Sequence, residues 1–163
     1  MKGFTVRRNF ILSAFAVASL VMAAGHGTAF AQAATGTAPE AEAQVKAAVA
    51  FIKANGPQKA YEEFTNGTKF KDRDLYITVY DFAGKNLAHG SNPKMVGKEL
   101  LGLKDFNGVP IIENSRKLAQ EKGKGWSDVY HMQNPLTKKL QAKKAYVERV
   151  GDTFVSSGIY IQE

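Results

Sequence analysis

Cysteine is absent from all 163 residues. That excludes disulfides, thiol catalysis, cysteine-ligated zinc, iron–sulfur clusters and c-type haem attachment together. Histidine is scarce, with three in all, and only His89 and His131 lie beyond the N-terminal leader. No His-Glu-x-x-His, Gly-x-Ser-x-Gly or phosphate-binding glycine motif occurs. Gly97 and Gly102 flank Lys98-Glu99-Leu100-Leu101, but no Gly-Lys-Ser/Thr follows. Carboxylate pairs such as Glu62-Glu63 fit a solvated helix surface. The expectation is a non-enzyme with no cofactor and no metal. Long apolar runs are also missing: the stretch Phe10 to Ala24 falls short of the roughly 20 residues that span a bilayer.

That stretch has another reading. Lys2, Arg7 and Arg8 precede it, and small residues ending in Ala29-Phe30-Ala31 follow it, the pattern of a secretory signal peptide. The expected cut is after Ala31, with Ala33 as the fallback, giving a signal peptide over 1–31. An uncleaved anchor is the minority alternative. Arg7-Arg8 before Asn9-Phe10-Ile11 also fits a twin-arginine signal, so the route is Sec or twin-arginine. The expected compartment is the periplasm. The leader holds three of the 22 basic residues and no acidic one, leaving 19 against 15, a charge of +4 on the mature chain. This excess is dispersed, with no basic helix or stripe, so nucleic acid is not an expected partner. A modest positive field favours anionic ligands.

Residues 32–37 read as a spacer and 38–163 as one domain. Thr37 and Glu40 have capping-box spacing with Pro39 in the first turn. Ala41, Val45, Ala48, Val49 and Ile52 then recur at helical spacing until Asn55-Gly56-Pro57. Gln58 to Phe64 is a second, short helix. Leu75 to Tyr80 is a β-forming run, apolar or aromatic on both faces, which turns through Asp81–Lys85 into a short strand over 86–89. A long connection with glycines at 90, 97, 102 and 108 follows, the kind of loop that is often functional. A helix from Val109 to about Lys122, a strand over 126–132, a long strand over 138–150 and a last one over 153–161 complete the chain. Gly151-Asp152 is a hairpin signal. Segregated helices and hairpin-linked strands give an α+β fold with an antiparallel sheet.

The candidate site is a pocket over this sheet, with the long loop closing one side. Small residues Ser156-Ser157-Gly158 in the last strand mark either a close approach by ligand or backbone, or tight helix packing. Around them lie Tyr76, Tyr80, Trp126, Tyr130, Tyr146 and Tyr160, amphipathic rings suited to a small pocket or to the core. His89, Lys143 and Lys144 are the candidate cations. Strand alternation puts Lys143, Ala145 and Val147 on one face and Lys144, Tyr146 and Glu148 on the other, so one lysine at most points inward. An inward lysine needs a counter-charge, which a ligand carboxylate would supply. The residues expected to contact ligand are Tyr80, His89, Trp126, Tyr130, Lys143 and Tyr146.

The segments DLYITVYDFAGKNLAHGSNPKMVGKELLGLKDFNG, GWSDVYHMQNPLTKKLQAKKAYVERVGD and FVSSGIY closely resemble single Cache domains of the Cache_2 type. The order of motifs VYDxxGxxLAH, NPxxxGKxLxxLKDxxG, NPxTKK and KxxYVERVGD carries the likeness, which spans roughly residues 38–161. It is nearest to small exported members made of a signal peptide and one such domain. The resemblance implies a PAS-like fold, a long N-terminal helix along a five-stranded antiparallel sheet. It also implies extracytoplasmic binding of small molecules, often short carboxylates, as in chemoreceptors and sensor kinases. By position, His89 matches the histidine of the LAH motif, Asp105 to Gly108 the KDxxG turn, and Lys143 and Tyr146 the lysine and tyrosine of KxxYV. Two departures leave the ligand open. Val129 to Pro135 replaces the family's Tyr-x-Trp-Pro-Asn-Pro run with one more residue, and Lys144 stands where a serine is common.

With no further membrane segment or signalling region after the last strand, the expected role is a sensing or binding module for a small organic anion. A separate membrane-bound receptor or kinase is the candidate partner, and the module itself is a monomer or homodimer. The alternative is an interaction protein that dimerises through its N-terminal helix and binds no small ligand.

Overall fold

Two helices, α1 (Ala38–Asn55) and α2 (Pro57–Asn66), begin the computed structural model, which describes residues 35–161. The expected signal peptide and the front of the spacer lie outside the described residues. Glu40 starts α1 by accepting both the Thr37 backbone N–H and the Thr37 hydroxyl at 2.8 Å. Gly56, at φ 80°, ends it and donates its N–H to Ile52, and Pro57 then opens α2, where no backbone donor is needed. The buried residues of α1 are Ala41, Val45, Ala48, Val49 and Ile52, the stripe that the periodicity predicts.

After a two-stranded ribbon of β1 (Lys71–Asp72) and β2 (Leu75–Tyr76), the chain builds the main sheet. Its strands are β3 (Thr78–Asp81), β4 (Asn86–His89), β5 (Lys124–Trp126), β6 (Tyr130–Gln133), β7 (Leu140–Val150) and β8 (Thr153–Tyr160). The order is β4-β3-β8-β7-β5, all antiparallel, and β6 also pairs with β7. The long β7 takes β5 against residues 146–148 and β6 against residues 140–143. The sheet is thus five strands wide, with two short strands in the fifth place.

The expected strand over 126–132 divides because Ser127 leaves the ladder. Its hydroxyl accepts the Ala145 N–H at 3.0 Å while its own N–H reaches the Ala145 carbonyl. The expected run 75–80 also divides, at Ile77, whose carbonyl accepts the N–H of Gly90. The strand expected over 138–150 begins at Leu140 because Lys138 has φ 61° and closes a turn from Asn134. Helix α3 (Ile111–Lys122) follows the long loop, with Pro110 at its start.

Two cores flank the sheet. On one face α1 packs with Phe64 and Phe70 over Ile77, Val79, Tyr146 and Val155. The rings of Phe64 and Phe70 meet edge-on at 4.7 Å. On the other face Ile111, Ile112 and Ala119 of α3 cover Tyr80, Ala145, Val147 and Phe154. Full burial of one such aromatic or aliphatic side chain stabilises by about 1.5–3 kcal/mol. The α3 face is incompletely filled, and the gap is the site.

Candidate ligand-binding site

The period-two alternation of three neighbouring strands turns Tyr76, Thr78 and Tyr80, then Phe154, Ser156 and Gly158, then Lys143 and Ala145 toward α3. Tyr130 and Met132 of β6 and His89 of β4 close the sides. Leu103 of the long loop, with Ile111, Ile112 and Ser115 of α3, forms the roof. The cavity volume is about 50 Å³, where a single water needs at least about 10–15 Å³. No carboxylate lines it.

Lys143 is 4 % exposed. Its ammonium donates to the Tyr76 hydroxyl at 2.9 Å and the Tyr160 hydroxyl at 3.3 Å. It also lies 4.4 Å from the centroid of each of those rings. Among the described residues it joins no ion pair. Phenol oxygens and ring faces offset part of the cost of burying a charge, each ring by about 0.5–2 kcal/mol, but neither carries a formal counter-charge. The small residues of β8 now have separate reasons. Gly158 leaves space for the Lys143 stem, since a Cβ there would collide with Lys143 Cε. Ser156 pairs with Thr78 at 2.7 Å inside the cavity wall. Ser157 faces the other way and donates to Gln44 of α1 at 2.6 Å.

The titratable groups settle into definite forms. Burial first, and the Lys143 charge second, hold His89 down at about 4, so the ring is neutral near pH 7. Its Nδ1 accepts the Asn92 backbone N–H at 3.1 Å, which leaves the proton on Nε2. The ring stacks on Tyr76 at 5.4 Å. Burial pushes Tyr80, Tyr130 and Tyr160 above the usual phenol range. Tyr160 donates its proton to the Gln133 carbonyl at 3.0 Å, so toward Lys143 its oxygen can only accept. Burial pushes Tyr76 up as well, but the charge and hydrogen bond of Lys143 outweigh it and bring the phenol below its usual value. The cavity therefore offers the Lys143 ammonium, the Tyr80 and Tyr130 hydroxyls that burial keeps protonated, a neutral imidazole, and the Tyr76 hydroxyl that Lys143 draws toward its phenolate.

Asp105 fastens the roof. Its carboxylate accepts the N–H groups of Asn107, Val109 and, across the gap to β6, His131, each at 2.9 Å. Burial raises its pKa, but these backbone donors dominate and hold the carboxyl below its usual range. Gly108, at φ 82°, closes the Asp105–Gly108 turn in a backbone conformation that favours glycine.

Of the residues expected from sequence, Tyr80, His89, Tyr130 and Lys143 meet in this cavity. Trp126 and Tyr146 lie outside it. Tyr146 shares a face with Lys144 and packs under α1, and Trp126 meets it edge-on at 5.6 Å with Lys144 Nζ 5.0 Å from the indole. The same alternation that selects Lys143 over Lys144 removes Tyr146 from the pocket. Thr78 and Ser115 line the cavity without having been singled out, and Tyr76 and Ser156, named around the expected pocket but not among the expected contacts, line it as well. Tyr76 and Thr78 were reachable, since they stand four and two residues before Tyr80 and so share its face.

Comparison with known proteins gives the same architecture. A methyl-accepting chemotaxis protein from Vibrio parahaemolyticus RIMD 2210633 superposes with a TM-score of 0.66 at 27% identity, over 76% of this chain and 88% of that one. A periplasmic sensor domain of a chemotaxis protein gives 0.61 at 21% identity, over 74% and 88%. A Cache chemosensory domain from a study of carboxylic acid recognition gives 0.60 at 20% identity, over 74% and 86%. No curated protein matches the chain. The family model described as Single Cache domain 2 matches residues 31–163, and the chain belongs to that family of sensor domains.

Proposed function

We propose that this protein is an extracytoplasmic sensory module whose cavity takes a small organic anion, a short carboxylate, seated on Lys143. One observation carries the reading: a lysine 4 % exposed, on the wall of a small cavity, with two phenols and no carboxylate as its partners. An anion entering the cavity would supply the missing counter-charge, and a charge-assisted hydrogen bond contributes about twice a neutral one. His89 Nε2–H and the hydroxyls of Tyr80 and Tyr130 face the cavity and can serve the remaining polar atoms. The volume restricts the ligand to few non-hydrogen atoms. Membership of a sensor-domain family, and the fold shared with a domain studied for carboxylic acid recognition, support the same reading. Output would pass through a separate membrane-bound receptor or kinase.

The test is thermal denaturation with acetate, propionate, lactate, pyruvate and glycine in turn, each titrated to saturation. A ligand at one hundred times its Kd should stabilise the folded state by about 2.7 kcal/mol, a readily measured rise in Tm. No shift with any member of the panel, nor with wider sets of amino and hydroxy acids, would refute the proposal.

A further inference from the structure

Among the described residues five large apolar side chains are exposed, and four of them, Phe106, Val129, Leu136 and Leu140, belong to the roof turn and the β6–β7 hairpin. Phe106 meets His131 of β6 edge-on at 4.8 Å, and Val129 shares the face of His131 by alternation. On that face His131 stands opposite Ala142 and Gln133 opposite Leu140, so Leu140 is a diagonal neighbour of His131. This is the sheet face that α1 covers at Tyr146 and leaves bare at Leu140. Single exposed apolar residues are ordinary, whereas a contiguous group marks a contact surface.

Two of the four stand at turn tips, where polar residues are usual, and a buried side chain locks each turn. Asp105 accepts the N–H groups of Asn107 and Val109 around Phe106. Asn134, 1 % exposed, accepts those of Leu136 and Thr137 at 2.9 and 3.3 Å, and its backbone bonds to Lys138 and Lys139 close the same turn. Both tips are thus held in place before any contact, which lowers the ordering cost of binding. Within residues 104–108 and 128–140 the exposed charges are Lys104, Lys138 and Lys139 against Asp128, an excess of two positive, since the Asp105 carboxylate is buried. The chain also enters and leaves the described domain at this end. Gly36 donates to Asp74, two residues before Tyr76, whose hydroxyl shares Lys143 with that of Tyr160. Tyr160 in turn donates to Gln133, and Ile161 to Ala142.

We infer that this end of the domain docks on an anionic lipid surface, with Phe106, Leu136 and Leu140 entering the headgroup layer and Lys104, Lys138 and Lys139 against lipid phosphates. Apolar tips supply the insertion and lysines the attraction, the two contributions that add in interfacial binding. Four apolar side chains fall short of the roughly 20–30 residues a side that a specific protein interface uses, and a lipid surface needs no matching shape. Docking here would hold the module against the bilayer that carries its receptor or kinase, with the Lys143 cavity left free.

The test is flotation of the protein, as the expressing cell processes it, with vesicles of phosphatidylglycerol and phosphatidylethanolamine. It should float with these at low salt, not with phosphatidylcholine alone, and binding should fall as salt rises. Lys138→Gln with Lys139→Gln should weaken binding roughly thirtyfold. Phe106→Ser with Leu136→Ser should abolish flotation while the circular dichroism melt is retained. Because the chain has no cysteine, an environment-sensitive dye can be placed singly. On Thr137→Cys its emission should shift to the blue with anionic vesicles, and on Lys59→Cys of α2 it should not. No flotation with anionic vesicles, equal flotation with phosphatidylcholine, or binding undiminished by both double substitutions would overturn the inference. Binding confined to native membranes and abolished by protease treatment of those membranes would assign the patch to a membrane protein, and would overturn it too. The carboxylate panel reads the cavity independently of these measurements.

Discussion

Gly158 on β8 lies under the side chain of Lys143 on β7, so close that a Cβ at 158 would overlap Lys143 Cε. The next strand's lysine can cross the sheet surface only because residue 158 has no side chain. Gly158→Ala must therefore push the stem aside and move the ammonium off the Tyr76 and Tyr160 oxygens. Overpacking of this sort costs typically 1–3 kcal/mol, and the displaced ammonium should weaken ligand binding at least tenfold. Gly102→Ala is the control: nothing lies within 4 Å of its added Cβ and its φ is not positive, so stability should be unchanged or slightly raised. Urea unfolding with and without ligand checks both, and equal behaviour of the two variants would contradict the packing argument.

Lys143→Met separates binding from stability. The substitution keeps the length and apolar bulk of the stem and removes a buried charge that has no formal partner. Replacing buried charge by a well-packed apolar group is often neutral or stabilising, so the ligand-free variant should melt within a few degrees of the parent or above it. Its response to the carboxylate panel should vanish. Lys144→Met and Tyr146→Phe, on the α1 face, should leave that response intact. A ligand response retained in Lys143→Met, or lost in Tyr146→Phe, would move the site to the other face.

How far the sequence reaches is clearest at these same residues. The α1 stripe and its cap, the α+β class and the β7–β8 hairpin follow from periodicity and turn chemistry, which are local. Alternation allows one inward lysine without saying which, and it groups Tyr146 with Lys144, although Tyr146 and Lys143 both stand among the expected contacts. Applying the alternation consistently removes Tyr146 and adds Tyr76. Trp126 is different. Which face it takes depends on its register opposite Tyr146, a long-range pairing that no local pattern encodes. The splitting of the strand at Ser127 was likewise invisible, because it rests on a hydroxyl reaching the Ala145 N–H from 18 residues away.

His89 gives the protein a pH dependence with a definite sign. The folded state holds it at about 4, whereas an unfolded imidazole titrates near 6.5. Between those values the unfolded chain binds a proton that the folded chain does not, so stability rises with pH there and is lost as pH falls from about 6.5 to about 4. The size is on the order of 3 kcal/mol if this group acts alone. Urea midpoints at several pH values across this window should show a clear slope for the parent protein and a much shallower one for His89→Gln. Identical slopes would mean that the imidazole is charged in the folded state, and that Lys143 and burial do not suppress it.

Asp105 predicts how the cavity opens. It binds three backbone N–H groups, two within its own turn and one on the strand opposite, so it ties the roof loop to β6 without touching the cavity. Asp105→Ala removes the acceptor of all three N–H groups at once. Amide exchange should then quicken at Asn107, Val109 and His131, while the ladder between β7 and β8 keeps its protection, since local openings need not involve the whole sheet. A loosened roof should also raise the ligand's off-rate more than it changes the on-rate. Exchange that quickened evenly through β7 and β8 would instead make Asp105 a support of the whole sheet. Stopped-flow release of the bound anion would then follow global unfolding and not loop opening.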